Sequence, residues 1–380
     1  MTGNIFLTRQ PVLNRNKAIT ATRLLLHMPA GTSMVHAAAE LQALAEHWPG
    51  ERTVFVGFVG ATPSADLLAW QVPQNAMIEI PAAGLAQPAT QEVMHKLAQA
   101  GVSLCLTGYG AATRVPAGFE FRFVLGDASA VRGNAPGLLI AQGVGDNAQF
   151  DACVKAGFGG AAGWFFLRGA TPAKKLNPGH AQIVRVLNLV RHNAEIRDIE
   201  AALKQDVALS FKLLRYINSA AFGLPVEIQS FRHAVTILGY DKLNRWLSLL
   251  LVTASKDPAA PALMQTAIAR ARFMELIGQG YIDRSETDNL FITGAFSLLD
   301  TLLGVPMETA LEEMRLPEAI NDALIGHQGA YAPFLDLALA CERADAAELA
   351  ARAEALQITA EVVNRAHLKA LAFADSLQLS

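Results

Sequence analysis

The sequence predicts an α/β barrel followed by an all-α domain, and three observations carry that expectation. Up to about residue 170, short runs rich in β-branched and aromatic residues alternate with helical stretches, an order that builds a mostly parallel sheet with covering helices. Seven or eight such runs suit closure into a (β/α) barrel, in a chain segment shorter than the roughly 250 residues typical of that architecture. Beyond residue 182 apolar residues recur at helical spacing, with no convincing strand. Between the two lies "LRGATPAKKLNPGHAQ" (167–182), with two prolines, two glycines and two lysines. The expected division is therefore a barrel over 1–170, a linker over 171–182 and a helical domain over 183–380.

Taken in order, the expected strands are "IFLTR" (5–9), "AITATRLLLH" (18–27), "TVFVGF" (53–58), "AMIEI" (76–80), "VSLCL" (102–106), "FEFRFVL" (119–125) and "GLLIAQ" (137–142). Helices are expected over 33–48 and 89–101, the second closed by Gly101 in the position that favours a left-handed residue. The stretch "GDASAVRGNAPG" (126–137) has too many Gly and Pro for a helix, so this barrel lacks some of its helices. In the second half, Ile183, Val186, Leu187 and Val190 share one helical face, as do Ile199, Ala202 and Leu203. Asp206 is placed to cap a helix with a Leu209, Leu213, Leu214 and Ile217 stripe. Ser230 starts a further helix that stops at Gly239, and Asp241 starts the next, which carries Leu243, Trp246, Leu247 and Leu250. Pro261, Pro306, Pro317 and Pro333 punctuate the remaining helical sequence.

With 52% hydrophobic and 17% charged residues and a mean hydropathy of +0.27, the 380 residues have enough apolar side chain for two cores, which argues against disorder. The run "WLSLLLVTA" (246–254) is about half of the roughly 20 residues a membrane span needs. The opening "MTGNIFLTRQPVLNRN" has no secretory pattern, so the expected location is the cytoplasm. Cys105, Cys153 and Cys341 are far apart and read as small core residues. Residues 1–175 carry 13 Lys+Arg against 10 Asp+Glu, and 176–380 carry 18 against 24. No basic field exists to collect nucleic acid, and none is expected as a partner.

"DVALSFKLLRYINSAAFGLPVEIQSFRHAVTILGYDKLNRW" resembles the central motif of the HDOD domain, a helical output module related to HD phosphohydrolases. "FITGAFSLLDTLLGVPMETAL" (291–311) and "LPEAINDALIG" are similar to the segments after that motif in bacterial proteins that fuse an EAL-type barrel to an HDOD domain. The opening "LTRQPVLNRNKAITATRLLLH" fits the start of the EAL portion. The resemblance implies a degenerate, shortened EAL barrel joined to an HDOD domain. EAL domains hydrolyse cyclic di-GMP with two metals, and carried over position by position that machinery is largely replaced here. The signature Glu falls on Arg23, a substrate-contacting Arg on His27, and a ligand Asn on Gly57. An Asp-Asp pair falls on Cys105 and Leu106, a Lys on Leu125, two Glu on Gln142 and Gly145, and a late Gln on Ala162. Glu79 alone keeps a ligand type, and pairing with Arg23 suits it better than metal binding; Asp127 or Asp146 could be rescued by a slip in alignment. In the helical half the His-Asp dyad falls on Leu299 and Asp300, and the histidines are scattered singly.

The expectation is thus a bacterial signalling protein with no catalytic residues, no metal and no cofactor. It would act by binding other signalling or regulatory proteins, and the resemblance implies a link to motility, attachment or gene regulation. Loss of the Arg at His27 counts against cyclic di-GMP as a ligand, whereas Arg9, Arg15, Lys17 and Arg23 near the barrel opening keep a sensor open, a solvated basic face being the commoner meaning of such a group. The alternatives are a cyclic di-GMP phosphodiesterase or a non-hydrolysing cyclic di-GMP sensor. In "RYINSAAF", Arg215, Asn218 and Ser219 are a candidate polar interaction cluster. Helix-end capping by Asn218, with small residues for close packing, is the commoner use of such a set.

Overall fold

The computed structural model of the chain describes residues 5–129, 135–168, 178–204, 218, 228, 230–252, 259–283, 286–312, 314 and 316–377. The chain forms two units. One comprises Met1–Arg168 with Leu339–Ala372, the other Gly169–Ala338 with Phe373–Ser380.

The first unit holds a closed eight-stranded barrel in sequential order: β1 (Phe6–Asn14), β2 (Ile19–His27), β3 (Thr53–Val59), β4 (Ala76–Pro81), β5 (Ser103–Tyr109), β6 (Phe123–Asp127), β7 (Leu138–Gln142) and β8 (Gly160–Ala162). β2 to β8 are parallel neighbours, while β1 runs antiparallel to both β2 and β8. The sheet is thus mostly parallel, as expected, with β1 as its antiparallel strand. β1 and β2 form a hairpin: the side-chain oxygen of Asn14 accepts from the backbone of Asn16 and Ala18, and Lys17 takes φ 59°. β1 also continues past Arg9, where the sequence reading stopped, because Pro11 needs no donor there and its carbonyl accepts from Gly163 at 3.0 Å.

The barrel interior follows from the two-residue period of a strand. Val12, Ala21, Phe55, Met77, Cys105, Leu125, Ile140 and Ala162, one from each strand, pack into a single buried cluster. Phe123 leans on Phe55 edge-on at 5.3 Å between ring centroids. Three α-helices lie between strands: α1 (Met34–Ala43), α2 (Pro88–Gln99) and α3 (Asn147–Lys155). After α2, Gly101 has φ 78°, its N–H bonds to Ala98 and that of Val102 to Leu97, a Schellman close to the helix. Asp146 caps α3 by accepting from the N–H of Gln149 at 2.8 Å. No helix lies among the described residues between β6 and β7.

Residues from the far end of the chain complete this unit. The backbone N–H of Leu7 donates to Asn364 at 2.9 Å, and Asn364 donates back to Ile5 at 2.8 Å. Arg9 forms a buried ion pair with Glu342 at 2.8 Å and faces the ring of Trp164. The pKa of buried His367, in Ala360–Ser376, is pushed down to about 3 by burial, with the Arg9 charge acting in the same direction and a hydrogen bond with Leu7 opposing.

In the second unit, Pro178–Arg191 buries Ile183, Val186, Leu187 and Val190, and Ile196–Lys204 buries Ile199, Ala202 and Leu203, as their spacing predicts. Phe231–Val252 contains a break at Gly239 (φ 75°, ψ 172°), the predicted stop. The helices at Ala260–Gly278 and Thr287–Phe296 cross closely at Gly294, where a Cβ would stand 2.5 Å from Ala271 Cα. The helix predicted after Asp206 lies outside the described residues. No described helix is long and apolar enough to cross a membrane.

Two outcomes are expected. Gly294→Ala forces two backbones apart and should cost about 1–3 kcal/mol in urea unfolding. For His367, a free imidazole takes its proton near 6.5 but the folded one holds out to about 3, so the unfolded state binds the proton first. Stability is therefore present above pH 6.5 and drains as pH falls toward 3, by up to about 1.4 kcal/mol per pH unit. Urea midpoints of wild type and His367→Leu, compared at pH 7 and pH 4.5, should show the smaller acid loss in the variant.

Candidate functional site

Polar side chains replace the apolar ring one period further along the strands. Arg23 follows Ala21 on β2 by two residues, and Glu79 follows Met77 on β4, so both face inward toward the carboxyl-terminal end of the parallel strands. That end of a barrel is where sites are built. Arg23 Nε donates to Glu79 Oε1 at 2.5 Å and Nη2 to Oε2 at 2.7 Å, a bidentate pair. Nη1 donates to Gln10 Oε1 on β1 at 3.1 Å. The Glu79 side chain is 2% exposed and that of Arg23 13%. Burial works against the Arg23 charge, but the Glu79 carboxylate outweighs it and the guanidinium pKa is raised. On β3, between the pair, stands Gly57, where a Cβ would fall 2.6 Å from Glu79 Oε2 and 2.8 Å from Leu25 Cδ2.

The other carried-over positions do not assemble a ligand set. His27 is buried, shares a 2.9 Å hydrogen bond with Thr8, and its pKa is lowered by burial against the pull of Asp345. Cys105 and Leu125 belong to the apolar ring, and burial, reinforced by Glu79, raises the Cys105 thiol far above its ordinary range. Asp127 accepts from the N–H of Ser129, and Asp146 is spent as a helix cap. The basic group expected at the opening is dispersed. Arg9 is paired with Glu342. Arg15 donates to the carbonyls of Phe158 and Gly157, and Lys17 pairs with Asp151 at 3.4 Å, both at the hairpin end of β1. Arg23 alone lies in the mouth.

A divalent metal of the kind that acts on phosphodiesters needs several hard oxygen donors converging on one point. Both oxygens of Glu79 already hold Arg23, and among the described residues no three His, Cys, Asp or Glu side chains are placed to hold a metal. The mouth therefore does not fit a pair of such ions, and no metal-assisted step follows from its donors.

In the helical unit, Arg245 is held bidentately by Glu275 at 2.5 and 2.9 Å, with its guanidinium 3.6 Å from the Phe291 ring centroid. Arg272 adds a 2.6 Å contact to Glu275. Burial works against the Glu275 charge, yet the two arginines keep its pKa below the usual range. Arg245 and Glu275 border a cleft of about 630 Å³ with Lys242, Thr287 and Asp288. Sequence reasoning missed this cluster, because Arg245, although it lies in the quoted motif, stands 30 residues from Glu275 and only the fold brings them together. Of the predicted polar cluster, Asn218 bonds both ways with the backbone of Ile228, donating at 2.8 Å and accepting at 2.7 Å. Its amide thus ties two points of the chain. Arg215 and Ser219 lie outside the described residues.

Comparison with known proteins bears on these sites. Residues 178–314 match the HDOD domain. The chain is 29% identical over 208 residues to a Vibrio cholerae protein named cyclic di-GMP phosphodiesterase CdgJ, covering 54% of this chain and 48% of that protein. It is 25% identical over 205 residues to Bacillus subtilis YuxH, covering 53% and 50%. The chain thus spans about half the length of the curated relatives it matches. Among solved structures it is similar to Klebsiella pneumoniae BlrP1 in its complex with manganese and cyclic di-GMP, with 18% identity, a TM-score of 0.33, and coverage of 43% of this chain and 55% of that one. A likeness of that size decides neither fold nor activity.

The expectation that the chain is not an enzyme is corrected by the Vibrio relative, which is named for hydrolysing cyclic di-GMP. Counting ligand positions at one barrel mouth was too narrow a basis for excluding activity in the whole chain. The same relative weakens the expectation that cyclic di-GMP is not a ligand.

Arg23→Met should destabilise the chain by about 3–5 kcal/mol, because it strands a buried carboxylate. Arg23→Met combined with Glu79→Leu should recover most of that loss. Urea unfolding of the three proteins checks both, and a single-variant loss below about 1 kcal/mol would mean that the pair behaves as a surface one.

Proposed function

We propose that the chain is a cyclic di-GMP-related signalling protein, in which an EAL-like barrel meets the dinucleotide and the HDOD-containing helical segment passes the response to protein partners. The observation that carries this reading is the shared sequence with a relative named cyclic di-GMP phosphodiesterase, over 54% of the chain. The HDOD match at residues 178–314 and the closed barrel that precedes it support the same reading.

The chemistry required is recognition of two phosphates and two guanine edges. At the carboxyl-terminal end of the strands, Gln10 is already oriented by Arg23, and Gln142 ends β7. Amides of this kind both donate and accept, which suits a guanine edge.

Calorimetry of the full chain with cyclic di-GMP, with and without Mn²⁺, tests the reading when the products are separated by chromatography. Binding with a Kd on the order of 1 μM is expected. Release of the linear dinucleotide would place the chain among phosphodiesterases, and binding without release among receptors. Neither binding nor turnover at a ligand concentration about a hundredfold higher would overturn the reading.

A further inference from the structure

We propose that Arg23 is an internal cation that holds the barrel mouth closed to divalent metals, and that Gly57 is the residue that makes room for it. Three features of the site point there together. Both oxygens of Glu79 are engaged by one guanidinium. The remaining terminal nitrogen of that guanidinium is fixed by Gln10. The space that a β3 side chain would fill is taken by the carboxylate itself, so that a Cβ at Gly57 would overlap Glu79 Oε2 at 2.6 Å.

The electrostatics favour exclusion. One guanidinium and one carboxylate make a neutral, buried pair on strands β2 and β4. A divalent ion entering beside Glu79 would meet the fixed charge of Arg23 and, among the described residues, would not find the three acidic, His or Cys side chains together that could hold it, and in a poorly hydrated site that repulsion is strong. A metal must also displace two charge-assisted hydrogen bonds before it reaches an oxygen. The arginine therefore does part of what a bound metal does in such a barrel, holding side chains from β1, β2 and β4 in one arrangement, without any dependence on metal supply. Removing it should uncover a cation site. Arg23→Glu would set two carboxylates facing each other across a strand with no side chain at Gly57 between them.

This inference holds whichever ligand the mouth meets, so its test uses Mn²⁺ alone. In the wild type, titration calorimetry and manganese electron paramagnetic resonance should detect no bound ion at about 1 mM, and the Tm should be the same in EDTA and in Mn²⁺. Arg23→Glu should take up Mn²⁺ with a Kd below about 1 mM and melt at higher temperature when Mn²⁺ is present. As a measurement that needs no variant, the Arg23 Nε–H resonance of the wild type should exchange slowly with water and stay unmoved by Mn²⁺. Stoichiometric uptake by the wild type that is lost in Glu79→Gln would overturn the proposal. So would a folded Arg23→Glu protein that takes up no Mn²⁺, or an Arg23 Nε–H that broadens on its addition.

Discussion

Closing the barrel is the constraint on which the first unit depends. Eight strands enclose an interior just wide enough for side chains to fill, and the last gap to close lies between β8 and the antiparallel β1. At that seam a Cβ on Gly160 would sit 1.9 Å from the carbonyl oxygen of Leu13, so only a glycine lets the strands come within hydrogen-bonding distance. Ala161 and Ala162 continue the same economy of size. On the opposite side of the ring, Phe55 and Met77 supply the bulk that the seam leaves out. Small residues at the seam and large ones across from it amount to one packing solution shared among eight strands.

Above that ring the barrel carries charge, and its handling explains the polar chemistry of the mouth. A carboxylate as buried as Glu79 needs a partner of opposite sign, and Arg23 provides one with matching two-pronged geometry. Arg9 and Glu342 repeat the arrangement where Leu339–Ala372 meets β1, and Arg245 with Glu275 repeat it in the helical unit. In each case a buried arginine is held by a glutamate on another element. Such pairs add little net stability compared with apolar residues of equal volume, but they penalise any packing that separates them.

Much of the architecture was legible in the sequence, for reasons that also explain what was not. β2 to β7 announce themselves because strands buried on both faces read as apolar, β-branched runs between Gly and Pro. β8 does not, since "GAA" has no strand propensity and exists only because β1 needs a close neighbour. The direction of β1 is equally silent, because alternation marks faces and not polarity. Helical spacing correctly identified the buried faces of Pro178–Arg191 and Ile196–Lys204. It could not say that Leu339–Ala372 would join the barrel, since periodicity reports that a face is apolar and not what covers it. At the mouth, the pairing of Glu79 with Arg23 could be anticipated from a lone carboxylate beside an arginine. The part played by Gly57 could not, because it rests on contacts across three strands. Arg15 and Lys17 were misplaced because closeness in sequence to Arg23 hid the reversal of the hairpin between them.

The bonds between Asn364 and the chain at Ile5 and Leu7 span more than 350 residues. A ribosome adding 5–20 residues per second needs roughly 20–70 s to reach Asn364 after Leu7 has been made. During that interval the first strand has left the exit tunnel but lacks the side chain that later occupies its backbone, and its free N–H and C=O groups are open to pairing with other nascent chains. The barrel is thus synthesised well ahead of the residues that finish it, which makes the newborn polypeptide a natural client for chaperones that shield unpaired strands.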